Sequence, residues 1–232
     1  MPQFQINAAY WAPSNHTNTN HRMKTSMIGW GCALAMVCSG AVAERAADPL
    51  AATIQCISSG RLKTLESSRL PESATSRSVA TLEGERSVSL ADGYKLILAT
   101  PQGLPFVNLK VELSRPDSAD ADRSAIRQQM QAFASRRPPT AKDLARSNVR
   151  GLEVLALHQP DLSRGGPVSF ITAFAESRSL VATLYVLNQE PAKRAFATYE
   201  QYESVRDEAI EHIFGCIAGR DAGRGSVADS PR

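Results

Sequence analysis

Apolar positions are densest between Gly165 and Asn188, where two runs, 168–175 and 180–187, flank the polar segment Glu176-Ser177-Arg178. Side chains alternate across a strand, so every second residue shares a face. Val168, Phe170, Thr172 and Phe174 fall on one face of the first run, and Ser169, Ile171, Ala173 and Ala175 on the other. Leu180, Ala182, Leu184 and Val186 oppose Val181, Thr183, Tyr185 and Leu187 in the second. Neither face is strongly polar, which predicts a central strand hairpin covered on both sides. The runs are short and rich in Val, Ile, Phe, Tyr and Thr, which disfavours a buried helical hairpin.

The other elements follow from local pattern. Asp48-Pro49 opens a short helix with Leu50, Ile54 and Ile57 on its apolar side and Gly60 beyond its end. Positions 65–77, rich in Ser, Glu and Arg, read as a surface segment. Asp92-Gly93 between 87–91 and 94–100 is a hairpin signal of the type I′ kind. Pro101-Gln102-Gly103 makes the next turn. Val107, Leu109, Val111 and Leu113 then alternate with Asn108, Lys110 and Glu112, which predicts a strand with one face in the core and one in water.

A mid-chain helix follows, capped by Asp117 or Ser118. Asp120 and Asp122 lie in its first turn, and Ile126, Met130 and Phe133 form its apolar face. It closes at Arg136-Arg137 before Pro138-Pro139. Thr140-Ala141-Lys142-Asp143 resembles a capping box for one or two more turns through Leu144. A strand at 152–158 leads through Gln159-Pro160-Asp161 to the central hairpin. A long helix over 199–218 closes the order, capped by Thr198 with Gln201 in the capping-box position. Tyr202, Val205, Ala209, Ile213 and Cys216 form its stripe, and Gly219 stops it. The tail, 220–232, is polar and reads as disordered. Together these predict an α+β domain over 86–219, an antiparallel sheet of about six strands with the mid-chain and C-terminal helices packed on it, preceded by a segment at 44–85.

The beginning of the chain changes the composition that matters. Met23-Lys24 starts a short basic segment, 27–40 is almost entirely apolar or small, and Ala41-Val42-Ala43 ends it. That is the pattern of a secretory signal peptide, with Met23 as the expected start and cleavage expected between Ala43 and Glu44. The sequon Asn15-His16-Thr17 lies upstream of that start. The apolar run is shorter than the roughly 20 residues of a membrane span. Arg22 and Lys24 leave with the leader, so 24 of the 26 basic residues remain against 23 acidic. A near-neutral mature chain gives no argument for nucleic acid or for a membrane surface. Trp11 and Trp30 leave as well, and of the cysteines only Cys56 and Cys216 remain. An exported chain meets an oxidising compartment, so these two are expected to pair.

Candidate chemistry is sparse. His158 and Asp161 lie three positions apart at a strand end and could form a ligand or acid–base pair, although a strand-end histidine beside a Pro-Asp turn outweighs that reading. His212 sits on the last helix between Glu208 and Glu211, where a solvated helix face outweighs a metal site. Ser163-Arg164-Gly165-Gly166 offers backbone amides that could bind an anion, although such glycines usually only turn the chain. Arg136, Arg137, Lys142, Arg146 and Arg150 form a local basic cluster, read chiefly as a solvated face. No Gly-x-Ser-x-Gly, phosphate loop, Cys-x-x-Cys or His-Glu-x-x-His occurs. No catalytic residue, cofactor or metal is therefore assigned.

Two strands at 94–100 and 106–113, a helix, three strands between Leu152 and Leu187 and a long C-terminal helix form an order that resembles the PsbP/Mog1-like fold over roughly 86–218. Members are typically non-enzymatic binding, accessory or chaperone-like proteins. The resemblance implies a role of that kind, and with the leader it sets the expectation of an exported, periplasmic or secreted, binding or accessory protein with an unknown protein or small-molecule partner. It transfers no functional residue. The alternatives are a small envelope hydrolase using His158 and Asp161, or a structural envelope component.

Overall fold

The computed structural model describes residues 48–135, 143–158, 167–188 and 195–219. Its elements in chain order are α1 (Pro49–Ser58), β1 (Lys63–Arg69), α2 (Glu72–Thr75), β2 (Ser76–Thr81), β3 (Gly84–Ala99), β4 (Pro105–Ser114), α3 (Ala119–Ser135), β5 (Ala145–Val149), β6 (Leu152–His158), β7 (Pro167–Ala175), β8 (Leu180–Leu187) and α4 (Tyr199–Ile217). The architecture is α+β, with one antiparallel sheet of eight strands in the order β1-β3-β4-β8-β7-β6-β5, and β2 paired to β3 off that path. The apolar hairpin β7–β8 lies near the middle of the sheet, as its two-sided apolar pattern predicts. Its connection, Glu176–Arg178, is a single 3₁₀ turn.

α1 and α4 cover one face. Leu50, Ile54 and Ile57 from α1 join Tyr202, Ala209, Ile213, Phe214 and Ile217 from α4 over Leu96, Leu98, Val107, Leu109, Val111, Ile171, Ala173, Ala182, Leu184 and Val186 of the sheet. Asp48 caps α1 by accepting from the Leu50 amide at 3.0 Å, and Thr198 caps α4 by accepting from the Gln201 amide at 3.3 Å. The α4 stripe is buried at Tyr202, Ala209, Ile213 and Cys216, with Val205 half-buried. At its far end the Arg178 guanidinium donates to the Cys216 and Ile217 carbonyls at 2.9 and 2.8 Å. The Cys216 carbonyl also accepts from the Gly219 amide at 3.1 Å, and a turn residue from the hairpin thus adds to the satisfaction of the last carbonyls of the helix.

α3 and β2 cover part of the other face, where Val79, Val88, Leu90, Ala125, Ile126, Met130, Leu155, Leu157, Phe174 and Val181 form a second core. Asp122 pins the helix start: its carboxylate accepts from the Ser89 amide at 3.0 Å and the Ser118 hydroxyl at 2.6 Å.

Four expectations are corrected. The segment at 65–77 is not plain surface chain: β1 pairs with Tyr94–Ala99 and β2 with Gly84–Ser89, so positions within 44–85 supply two strands of the same sheet. β1 is an exposed edge that gains its order from pairing, and it carries no apolar alternation to reveal it. These two strands and the edge strand β5 add three, while the expected strands at 87–91 and 94–100 merge into β3, so the sheet has eight strands rather than about six.

Asp92-Gly93 is not a turn. β3 runs through it as one strand of 16 residues, with a register shift against β4 between Leu90 and Asp92. The turn that leads into β3 lies at Leu82-Glu83, followed by Gly84 with φ +125°. Gly93 serves close packing: a Cβ there would stand 2.8 Å from Leu70 Cδ1 and 3.0 Å from Glu112 Cγ. Asp92 is held by the Arg69 guanidinium, whose hydrogen bonds keep its carboxyl below the usual range.

The polar side of β4 does not face open water. Glu112 is fully buried, and Asn108 and Lys110 are half-buried. Finally, Asp143 and Leu144 are not helical and lead directly into β5. Thr140, Ala141 and Lys142 lie outside the described residues, as do Arg136, Arg137 and the tail 220–232.

Candidate functional site

Strand register sorts the α3 side of the sheet into transverse rows. In one row Ile97 lies opposite Asn108, Asn108 opposite Tyr185, Tyr185 opposite Phe170, and Phe170 opposite Leu157. In the next, Lys95 lies opposite Lys110, Lys110 opposite Thr183, Thr183 opposite Thr172, and Thr172 opposite Leu155. A third row carries Gly93, Glu112, Val181, Phe174 and Glu153. In the third row Arg77 of β2 covers Glu112 and α3 covers Phe174 and Glu153. Arg127 lies over the Phe174 ring, 5.4 Å from its centroid, and donates to Glu153 at 2.9 Å.

What remains is a contiguous patch in which Lys95, Ile97, Asn108, Lys110, Thr183, Tyr185 and Phe170 are all half-buried. The contrast with the opposite face is sharp. There Leu96, Leu98, Leu109, Val111, Ala182, Leu184, Ile171 and Ala173 are each at most 2% exposed.

The patch has an aromatic side and a cationic side. Tyr185 and Phe170 stack with centroids 4.4 Å apart and planes 15° apart, and Phe133 of α3 meets Phe170 edge-on at 5.5 Å. Burial pushes the Tyr185 hydroxyl up to about 12, against the opposing pull of the nearby Arg77 charge. Arg77 comes from β2 and clamps Glu112 with two bonds of 2.5 and 3.0 Å. Lys95 pairs with Glu66 at 3.3 Å. Burial lowers the Lys110 ammonium below its ordinary value; Glu112 opposes that, while Arg77 and Lys95 add to it. The Thr172 side chain is fully buried in the same row, and its hydroxyl has no hydrogen-bond partner among the described residues.

The residues singled out from sequence lie elsewhere. His158 is half-buried at the end of β6, its Nδ1 2.9 Å from the Ser169 hydroxyl. Ser169 is 1% exposed. The Tyr202 hydroxyl donates to it at 2.8 Å and lies 3.2 Å from the Val186 carbonyl. Burial pushes the Tyr202 phenol upward. This chain runs from sheet edge to α4 and fastens the helix to the sheet. Asp161, the Ser163–Gly166 loop, Ala43 and Glu44 lie outside the described residues.

Cys56 and Cys216 form a disulfide with Cα atoms 5.7 Å apart, joining α1 to α4. His212 packs against it, Nε2 3.2 Å from the Cys56 carbonyl and 3.8 Å from Cys216 Sγ. Gly60 makes that packing feasible, since a Cβ there would stand 2.6 Å from the imidazole. Glu208 and Glu211 do not join His212: they pair with Arg61 and Arg150 across to other elements. Among the described residues no group of His, Cys, Asp and Glu has a metal-holding arrangement, and no helix is long and apolar enough to cross a membrane. Arg146 is exposed on β5, and Arg150 is engaged by Glu211, so the basic cluster is not gathered at these two positions.

Sequence reasoning missed the patch because Asn108, Lys110 and Glu112 read as a solvated face. One signal was present: Thr172, Thr183 and Tyr185 put polar atoms on strands otherwise apolar on both sides. Comparison with family models, with curated proteins and with solved structures returns no match.

Proposed function

We propose that the chain is exported, periplasmic or secreted, and acts there as a non-enzymatic binding or accessory protein. The observation that carries the binding half is the half-buried aromatic and cationic patch on a sheet whose opposite face is fully sealed. Binding sites combine apolar and aromatic walls with a few placed polar groups, and this patch has both. The export half is supported by the leader pattern ending at Ala43 and by the Cys56–Cys216 disulfide, a bond that persists in oxidising compartments. The element order, which resembles the PsbP/Mog1-like fold, supports the same class of role.

The hydrolase alternative has one observation in its favour, the 2.9 Å contact between His158 and Ser169. Against it, the Ser169 hydroxyl is sealed in the core and already engaged by Tyr202, so a substrate has no approach to it.

The test is expression with the native leader followed by cell fractionation, N-terminal sequencing and identification of co-purifying material. Mature protein beginning at Glu44 in the envelope or medium, emitting as a tyrosine protein without tryptophan, is the expected result. Uncleaved protein in the cytoplasm overturns the export half. A turnover that His158→Ala abolishes in a folded protein overturns the non-enzymatic half.

A further inference from the structure

We infer that the Cys56–Cys216 bond is built for exchange with one polarity: an external dithiol enters at Cys56, and Cys216 leaves under a hydrogen bond from His212. The inference goes beyond the binding reading and rests on the surroundings of the bond, not on the compartment.

Access separates the two sulfurs. Cys216 is 3% exposed, sealed on the inward stripe of α4. Cys56 is half-buried near the end of α1, beside the exposed Gln55, Ser58 and Ser59. Thiol–disulfide exchange depends on which sulfur a thiolate can reach, so a reagent meets Cys56 first.

His212 separates them again. Its Nε2 lies 3.8 Å from Cys216 Sγ and 3.2 Å from the Cys56 carbonyl. Both neighbours are acceptors, which assigns the proton to Nε2. The carbonyl does not depend on that proton. It already accepts from the Ser59 amide at 3.1 Å and from the Ser59 hydroxyl at 2.7 Å. A carbonyl oxygen has two lone pairs, so the imidazole is a third donor there, available to a stronger acceptor. A thiolate at Cys216 is such an acceptor. It needs one, because Cys216 is the next-to-last residue of α4, where the helix dipole is negative and burial also disfavours the charge. The Arg178 guanidinium is engaged nearby by the Cys216 and Ile217 carbonyls and Thr53 Oγ1.

The exchange balances as follows. A thiolate of the dithiol attacks Cys56 Sγ and bonds to it. The bond between the two protein sulfurs breaks, and its electron pair passes to Cys216 Sγ. That thiolate takes the His212 hydrogen bond, which makes it a better leaving group, and is then protonated from solvent. The second thiolate of the dithiol attacks its partner sulfur in the mixed disulfide and releases Cys56, which is protonated in turn. The protein gains two electrons and two protons, and the dithiol becomes a disulfide. Run backwards, the same path makes the bond, with the disulfide donor again entering at Cys56.

The experiment starts from the oxidised protein without denaturant. Glutathione is the trapping probe: after acid quenching at early times, peptide mapping by mass spectrometry should place it on Cys56, in about tenfold excess or more over Cys216. Dithiothreitol is the rate probe. Reduction should be first order in dithiothreitol and faster than global unfolding. His212→Phe should slow it about fivefold or more, while His212→Gln, which keeps an N–H donor, should stay within about twofold of the wild type. Urea midpoints of the oxidised variants separate loss of the donor from loss of the fold. A merely structural His212 would make His212→Phe less stable and faster to reduce, the opposite of the expected effect. Glutathione on Cys216 or on both sulfurs alike, a rate that levels off at the unfolding rate, or an unchanged or faster rate in His212→Phe each overturns the inference. Cell fractionation bears on none of these outcomes, so failure of the exchange path and failure of the export reading are told apart.

Discussion

Reducing the Cys56–Cys216 bond should destabilise the protein chiefly by freeing the unfolded chain. The bond closes a loop of 160 residues. On the chain-entropy model a loop of that size restricts the unfolded ensemble by about 17 cal/mol/K, or about 5 kcal/mol at room temperature. The native state loses little in return. α1 keeps Leu50, Ile54 and Ile57 in the core, and Arg178 still holds the carbonyls at the end of α4 and donates to Thr53 Oγ1 at 3.0 Å. A domain of this size shifts its Tm by roughly 2–4 °C per kcal/mol, so a loss of about 10–20 °C is expected for the Cys56→Ser/Cys216→Ser variant. With a urea slope of about 2–3 kcal/mol/M the midpoint should fall by about 2 M, and the slope itself should rise because the untethered chain exposes more surface. Kinetics separates the mechanism from a local one. An effect on the unfolded chain slows folding and leaves the unfolding rate nearly unchanged. A midpoint within about 0.4 M of the oxidised protein, or a change confined to the unfolding limb, refutes the reasoning. Two titratable thiols in the denatured, unreduced, exported protein refute the bond itself.

Three further outcomes follow from buried polar groups. Arg77→Met leaves Glu112, fully buried, without its partner and should cost about 3–5 kcal/mol by urea denaturation, whereas the double variant Arg77→Met/Glu112→Leu should recover most of that loss; equal losses in the two would refute the pairing. Tyr202→Phe removes the hydroxyl that joins α4 to Ser169 and should cost about 1–2 kcal/mol with the fold intact by circular dichroism. Tyr185, raised by burial to about 12, holds its proton more tightly folded than unfolded, so its contribution is complete below about pH 10 and is lost as pH rises towards 12; urea midpoints across that window should fall more steeply in the wild type than in Tyr185→Phe.

The parts of this fold legible in the sequence are those where local pattern and tertiary role agree. β7 and β8 are apolar on both faces because they lie near the middle of the sheet, under α1 and α4 on one face and partly under α3 on the other. α4 announces itself by a cap, a stripe and a stop, and the structure uses all three. The same agreement placed Cys216 on the inward stripe and Cys56 beside Ile54 and Ile57, close enough for the bond to form. Where pattern and role diverge, the reading fails for a physical reason. β1 is an edge strand of Lys, Thr, Leu, Glu, Ser and Arg that exists because Tyr94–Ala99 offers it a ladder, and no window of its own residues contains that information. Asp92-Gly93 carries the composition of a turn, but its glycine is required by the approach of Leu70 and Glu112 from other elements, and that approach is set by tertiary packing.

The most consequential divergence is β4. Alternation of Val107, Leu109 and Val111 with Asn108, Lys110 and Glu112 has two physical meanings, a face in water or a face whose polar groups are matched by other elements. Which one holds is decided by β2, distant in sequence from the polar side of β4, because Arg77 reaches across to Glu112 and turns a solvated-looking carboxylate into half of a buried pair. Lys110, two residues along the same strand face, is half-buried as well, and its row forms the polar edge of an aromatic patch rather than a solubilising surface. The residues that looked least informative along the chain are therefore the ones that line the half-buried patch. His158, which looked most like chemistry, is held by Ser169 in the chain of hydroxyls that binds α4 to the sheet.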